Sequence, residues 1–157
     1  QMNNQYYAKI SWSGDDTNFI AGKYSRAHTW SFDGGIEVKA SSSPHVVPLP
    51  FSVENAVDPE EAFIASLSSC HMLWFLSIAA NRGFIVKSYT DESSGIMGKN
   101  GEGKIAMLSV TLRPRVEFAG SNIPSNEVIE SMHEKAHSEC FIASSVKTEV
   151  LCQPVFT

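Results

Sequence analysis

The stretch from Asp58 to Asn81 constrains this chain more than any other. It opens on Asp58-Pro59-Glu60-Glu61, a helix N-terminal signature. Asp58 suits the cap, Pro59 the first turn, and Glu61 lies three residues on, where it closes a capping box. Phe63, Ile64, Leu67, Met72, Leu73, Trp74, Phe75, Leu76, Ile78, Ala79 and Ala80 then leave no wholly polar face before Gly83, a predicted stop. A helix that is apolar all round is enclosed by protein, in a core or at a subunit interface. Ser66, Ser68, Ser69, His71 and Ser77 make it more polar than a bilayer span is expected to be.

The remaining elements frame that helix. Tyr7–Trp12 alternates as a strand, Gly14–Asn18 is a loop, and Ala27–Phe32 and Ile36–Ala40 flank a turn at Asp33-Gly34-Gly35. A long irregular segment with Pro44, Pro48 and Pro50 follows, over 41–57. Beyond the helix, strands are predicted near Phe84–Ile96 and Ile105–Phe118, a second helix over Ser125–Ser138, a short turn after Cys140 and a last strand over Val146–Val155. Hairpins with segregated helices predict an α+β fold in a single domain over 1–157. One all-round apolar helix in so small a domain needs more cover than one thin sheet supplies. An intertwined homodimer is therefore expected.

Charge and cysteine usage narrow the function. A net charge of −5 with no basic run disfavours nucleic acid and anionic membrane as partners. The N-terminal QMNNQYYAKISW lacks a basic region and an apolar run, so no signal peptide and a cytoplasmic location are expected. There are three cysteines, Cys70, Cys140 and Cys152. An odd number in a reducing compartment argues against a structural disulfide framework. The question becomes which thiol is reactive, since a buried cysteine is most often an inert small hydrophobe.

Cys70 sits in Ser68-Ser69-Cys70-His71 in the middle of the long helix, and Cys140 follows the second helix in Ser138-Glu139-Cys140-Phe141. The Asp58-Pro59-Glu60-Glu61 start, Ser69-Cys70 within the helix, Cys140 after a second helix and the Gly83-Phe84 exit resemble the OsmC/Ohr family of peroxidases. The resemblance spans nearly the whole chain and rests on the order of short motifs. It implies an OsmC-like fold, an antiparallel sheet wrapped around a long central helix in an intertwined homodimer. It also implies that Cys70 is the peroxidatic thiolate, oxidised by an organic hydroperoxide to a sulfenic acid, and that Cys140 resolves it as a disulfide. Arg26 and Glu60 are the implied arginine and glutamate that activate Cys70. The partners implied are a small-molecule peroxide and an external dithiol reductant, of the lipoyl type in one branch of the family. No cofactor or metal is expected. The residue types suit the chemistry: a thiolate is the nucleophile, a second thiol traps sulfenic acid before over-oxidation, and arginine offers a planar donor fork to peroxide oxygens.

Two features depart from the family pattern. Phe141 stands where a proline usually follows the resolving cysteine, and the register of Arg26 leaves Lys23 or His28 as alternative cations. Glu60 and Cys70 are ten residues apart on one predicted helix, a separation of about 15 Å if it is straight. Either Arg26 and Glu60 serve the Cys70 of the partner subunit, or the first helical turn is broken. Trp74, one turn after Cys70, suits an apolar pocket for an organic peroxide.

His133-Glu134-Lys135-Ala136-His137 also spells H-E-x-x-H on a predicted helix. A zinc hydrolase needs a third ligand downstream, where the carboxylates are Glu139, two residues on, and Glu149, in a predicted strand. His133 and His137 are therefore expected at the surface or an interface, His71 as a packing residue and Cys152 as a buried strand cysteine. The alternatives to a peroxidase are a non-catalytic redox or ligand-binding module on the same fold, or a zinc-binding protein using His133 and His137.

Overall fold

The cap signature at Asp58 folds as expected in a computed structural model of the chain, which describes residues 4–15 and 17–156. The backbone N–H of Glu61 donates to Asp58 Oδ1 at 2.8 Å, and that of Asp58 to Glu61 Oε2 at 3.3 Å. Helix α1 then runs unbroken over Pro59–Asn81. It ends where Phe84 N–H reaches back to the Ala79 carbonyl, a closure that requires positive φ at Gly83, here 83°. The expected start and stop of this helix are both borne out.

The chain forms two compact units, residues 1–62 and 63–157. In the first, β1 (Lys9–Ser11), β2 (His28–Ser31) and β3 (Glu37–Ala40) make an antiparallel sheet in chain order. The β2–β3 turn closes through Gly35 N–H to the Phe32 carbonyl, with Gly35 at φ 89°. Trp12, Phe19 and Tyr24 pack ring against ring before β2. In the proline-rich segment, Ser41 Oγ accepts from Val53 N–H at 2.8 Å, and Ser41, Ser43 and Ser52 are buried. Asp16, within the loop expected over Gly14–Asn18, lies outside the described residues.

In the second unit the two long predicted strands are each divided. Phe84–Ile96 becomes β4 (Ile85–Asp91) and β5 (Ser94–Lys99), and Ile105–Phe118 becomes β6 (Ile105–Leu112) and β7 (Pro114–Ala119). The cause is local. Pro114 opposes Asp91 and has no N–H to give the ladder, while the neighbouring Arg113 N–H is taken by Asp91 Oδ1. Asp91 Oδ2 also accepts from Ser68 and Ser93, so one carboxylate pins α1 to the point where both strands change sheet. The result is a β4–β7 pair and a separate β5-β6-β8 sheet, with β8 at Glu149–Cys152. The β6–β8 pairing is parallel, a departure from the single antiparallel sheet expected.

Helix α2 (Asn126–Glu139) begins with Ser125 Oγ accepting from Val128 N–H, and a short 3-10 turn at Ala143–Ser145 follows it. The C-terminal half of α1 places Phe75, Ile78 and Ala79 against Ile129, Met132 and Ala136 of α2 and against β4 and β7. The N-terminal half places Leu67 against Val110 and Leu112 of β6. By length and composition alone α1 is apolar enough to cross a membrane, contrary to the expectation drawn from its serines. The two apolar clusters identify it instead as the core helix of this unit. Even so, only 28% of its most apolar window is buried, and Leu73 is 60% exposed.

Candidate functional site

Two of the residues singled out from sequence are brought together. Cys70 is half-buried on α1, and Cys140 is 1% exposed at the C-cap of α2. The last turn of α2 aims Cys140: its own N–H caps the His137 carbonyl, and its Sγ accepts from Ala143 N–H at 3.4 Å. Burial pushes the Cys140 thiol up from its ordinary pKa, and the adjoining Cys70 thiol adds to that by hydrogen bonding and charge. The Ala143 and Ile142 amides act in the opposite direction. Seventy residues of sequence separate two thiols that are spatial neighbours, and both are free.

Phe141, the residue at the departure from the family pattern, has a definite contact. Its ring meets Trp74 edge to face at 5.5 Å. Trp74 lies one turn beyond Cys70 on α1 and Phe141 directly after Cys140. The aromatic pair therefore ties the two cysteine-bearing segments together.

Arg26 and Glu60 belong to the first unit. Arg26 Nη1 donates to the carbonyls of Gly22 and Tyr24, and its guanidinium lies over the Tyr24 ring, 3.6 Å from the centroid. His28, the alternative cation, accepts from Trp30 Nε1 through Nε2. Among the described residues the ion pair is Lys135–Glu139, and Arg26 and Glu60 make none with each other. Glu60 is half-buried in the first turn of α1, and that turn is intact.

A second cluster had not been assembled from sequence. His71 Nε2 and His133 Nδ1 are 2.9 Å apart, both rings are buried, and Cys152 Sγ lies 3.8 Å from His71 Nε2. The expectation that His133 lies at the surface or an interface is corrected. His133 is 2% exposed and its ring stacks on Phe75, centroids 4.2 Å apart, whereas His137 one turn on is exposed. Ile129, Met132, His133 and Ala136 form the buried stripe of α2, so helical spacing carried the signal. The H-E-x-x-H histidines thus face different surroundings. Burial holds His71 down to about 4 and His133 down to about 3, and each feels the charge of Asp91. Burial pushes the Cys152 thiol up to about 12, with Asp91 adding to the shift.

Comparison with known proteins follows the same lines. A family model described as OsmC-like protein matches residues 52–153. An OsmC-like protein of unknown function from Vibrio cholerae is 54% identical, over 97% of this chain and 99% of that one, with a TM-score of 0.95. The organic hydroperoxide resistance protein OhrB of Bacillus subtilis shares the fold at 16% identity, over 96% and 98% of the two chains, with a TM-score of 0.68. An organic hydroperoxide resistance protein from Elizabethkingia anophelis does so at 17% identity, over 98% and 96%, with a TM-score of 0.67. Among curated proteins nothing matches. The match across both helices and both cysteines, together with the extent of the Vibrio cholerae similarity, shows that this α+β chain belongs to the OsmC-like protein family.

Proposed function

We propose that this protein is a cytoplasmic thiol peroxidase that reduces organic hydroperoxides through Cys70 and Cys140. The observation that carries the reading is the adjacency of the two thiols, one half-exposed on α1 and one buried at the end of α2. Two solved relatives named as organic hydroperoxide resistance proteins share the fold. The Cys70 thiolate attacks the distal peroxide oxygen, the O–O bond breaks, and the alkoxide leaves as the alcohol after taking a proton. Cys70 is then a sulfenic acid. The Cys140 thiol displaces its oxygen as water and forms the disulfide, which an external dithiol, lipoyl-type or other, reduces by exchange. A buried Cys140 with a raised pKa fits the second step, since it stays protonated and unreactive toward peroxide until a sulfenic acid forms beside it. Trp74 and Phe141 supply an apolar flank suited to an organic peroxide.

Titrating the reduced protein with cumene hydroperoxide tests this. Peroxide is expected to consume Cys70 and Cys140 together and leave Cys152 unoxidised, with no effect of chelator on peroxide consumption. Loss of Cys152 first, or no thiol loss, rejects the reading.

We further propose that the working form is a homodimer in which Arg26 and Glu60 serve the partner's thiol. Glu60 lies ten residues from Cys70 on an unbroken α1, about 15 Å of helical rise, which supports action across the dimer. The exposed apolar surface of α1 suits a subunit interface. Sedimentation equilibrium is expected to give twice the 17.2 kDa chain mass. A single-chain mass in a fully active preparation sinks the proposal.

A further inference from the structure

The His71, His133 and Cys152 cluster is not used by the peroxidase reading. It is built from three elements, α1, α2 and β8, and its donor atoms all lie within 4.8 Å of one another. We propose that these three side chains form a binding site for a single zinc(II) ion, distinct from the Cys70–Cys140 pair.

Three observations carry this. The first is the donor set. Two imidazoles and a thiol match a borderline-soft divalent ion and not magnesium or calcium, which take oxygen ligands. The second is spacing. A tetrahedral zinc with ordinary bond lengths sets its ligands roughly 3.3 Å apart for two nitrogens and roughly 3.6 Å for nitrogen and sulfur. His71 Nε2 stands 2.9 Å from His133 Nδ1 and 3.8 Å from Cys152 Sγ, so small ring movements reach both values.

The third is charge. Asp91 is held to α1 by the Ser68 hydroxyl, three residues before His71. Its carboxylate accepts from two serine hydroxyls and a backbone amide, and among the described residues it has no cationic partner. Its negative charge favours a cation at the cluster. His133 and Cys152 also line a cleft of about 420 Å³ with Glu130, Glu134 and His137, which offers ion entry and a fourth ligand from water or a cleft side chain. Binding exchanges the Cys152 thiol proton for the metal, and the proton goes to solvent.

The test uses cobalt(II) as the probe on the full-length, metal-stripped protein. One equivalent is expected to bind and to give the thiolate-to-cobalt charge-transfer absorption and intense visible bands of a tetrahedral ion, with zinc(II) displacing it. Cys152→Ser is expected to remove the charge-transfer band. His133→Gln is expected to weaken binding by at least the roughly 10–100-fold that outer-shell changes already cause. The Cys70→Ser/Cys140→Ser double variant is expected to keep the band. Loss of the band in that double variant with retention in Cys152→Ser would place the metal on the other thiols and overturn the proposal. So would the absence of stoichiometric binding. If Cys152→Ser fails to fold, thiol counting on the unmutated protein decides. Bound metal should shield Cys152 from a thiol reagent and leave Cys70 reactive, and an unshielded Cys152 overturns the site. Because the readouts are metal binding and thiol identity, a peroxidase result of either sign leaves them unaffected.

Discussion

Cys70→Ser is expected to lower hydroperoxide turnover by at least about 10³-fold, the scale on which loss of a covalent nucleophile acts. A serine hydroxyl does not ionise near neutral pH and cannot accept the peroxide oxygen as sulfur does. Cys140→Ser is expected to behave differently. Cys70 should still be oxidised once, at a rate close to that of the unmutated protein, but its sulfenic acid would have no thiol beside it. It should then be trapped by a sulfenic-acid reagent and, with excess peroxide, proceed to sulfinic acid. Serine keeps the size of the side chain and can still accept the Ala143 amide, so α2 should end as before. Stopped-flow peroxide consumption with mass spectrometry of both variants checks the split. Unimpaired turnover in Cys70→Ser eliminates the mechanism, and unimpaired turnover in Cys140→Ser, with no trapped sulfenic acid, eliminates its resolving step.

Phe75→Ala is expected to destabilise the protein by about 3–5 kcal/mol. Phe75 is fully buried at the centre of the cluster that joins α1 to α2, β4 and β7. Its ring meets Tyr89 at 5.7 Å, Phe118 at 6.5 Å and His133 at 4.2 Å. Alanine removes these contacts and leaves a cavity that three elements cannot all close. Domains of this size hold only about 5–15 kcal/mol in total, so the loss is a large share of it. Phe75→Leu, which keeps much of the apolar volume, is expected to cost less than half as much. Urea unfolding followed by tryptophan fluorescence measures both. Equal midpoints for Phe75→Ala and the unmutated protein would show that α1 is not the centre of this core.

The local devices were legible because they are local. Asp58 and Glu61 are three residues apart and cap one another, Gly83 supplies the backbone that stops α1, and Gly35 supplies the turn between β2 and β3. The all-round apolar run over α1 marked it for a core or a subunit interface, and the pairing of Cys70 with Cys140 was an implication of the family resemblance. The division of both long strands was not legible. Alternation continues through Arg113 from Val110 to Phe118, and it is the opposition of Asp91 to Pro114 across the ladder that ends the pairing. The parallel β6–β8 pairing was likewise hidden, since no pattern within a strand names its neighbour.

The histidine cluster divides along the same line. His133 lay in a helical stripe with Ile129, Met132 and Ala136, and that stripe could have marked it as buried. Its nearness to His71, 62 positions away, and that of Cys152 to His71, 81 positions away, could not be read from spacing. The sequence by itself determined where the helices begin and end, which residues are apolar, and which thiols deserve scrutiny. These follow from backbone preference and short-range hydrogen bonding. The tertiary structure alone decided that side chains no motif had linked would meet: Phe141 with Trp74, and His71 with His133 and Cys152. Those meetings are set by how α1, α2 and β8 pack around Phe75, Leu67 and Asp91, and packing is a property of surfaces that chain order does not encode.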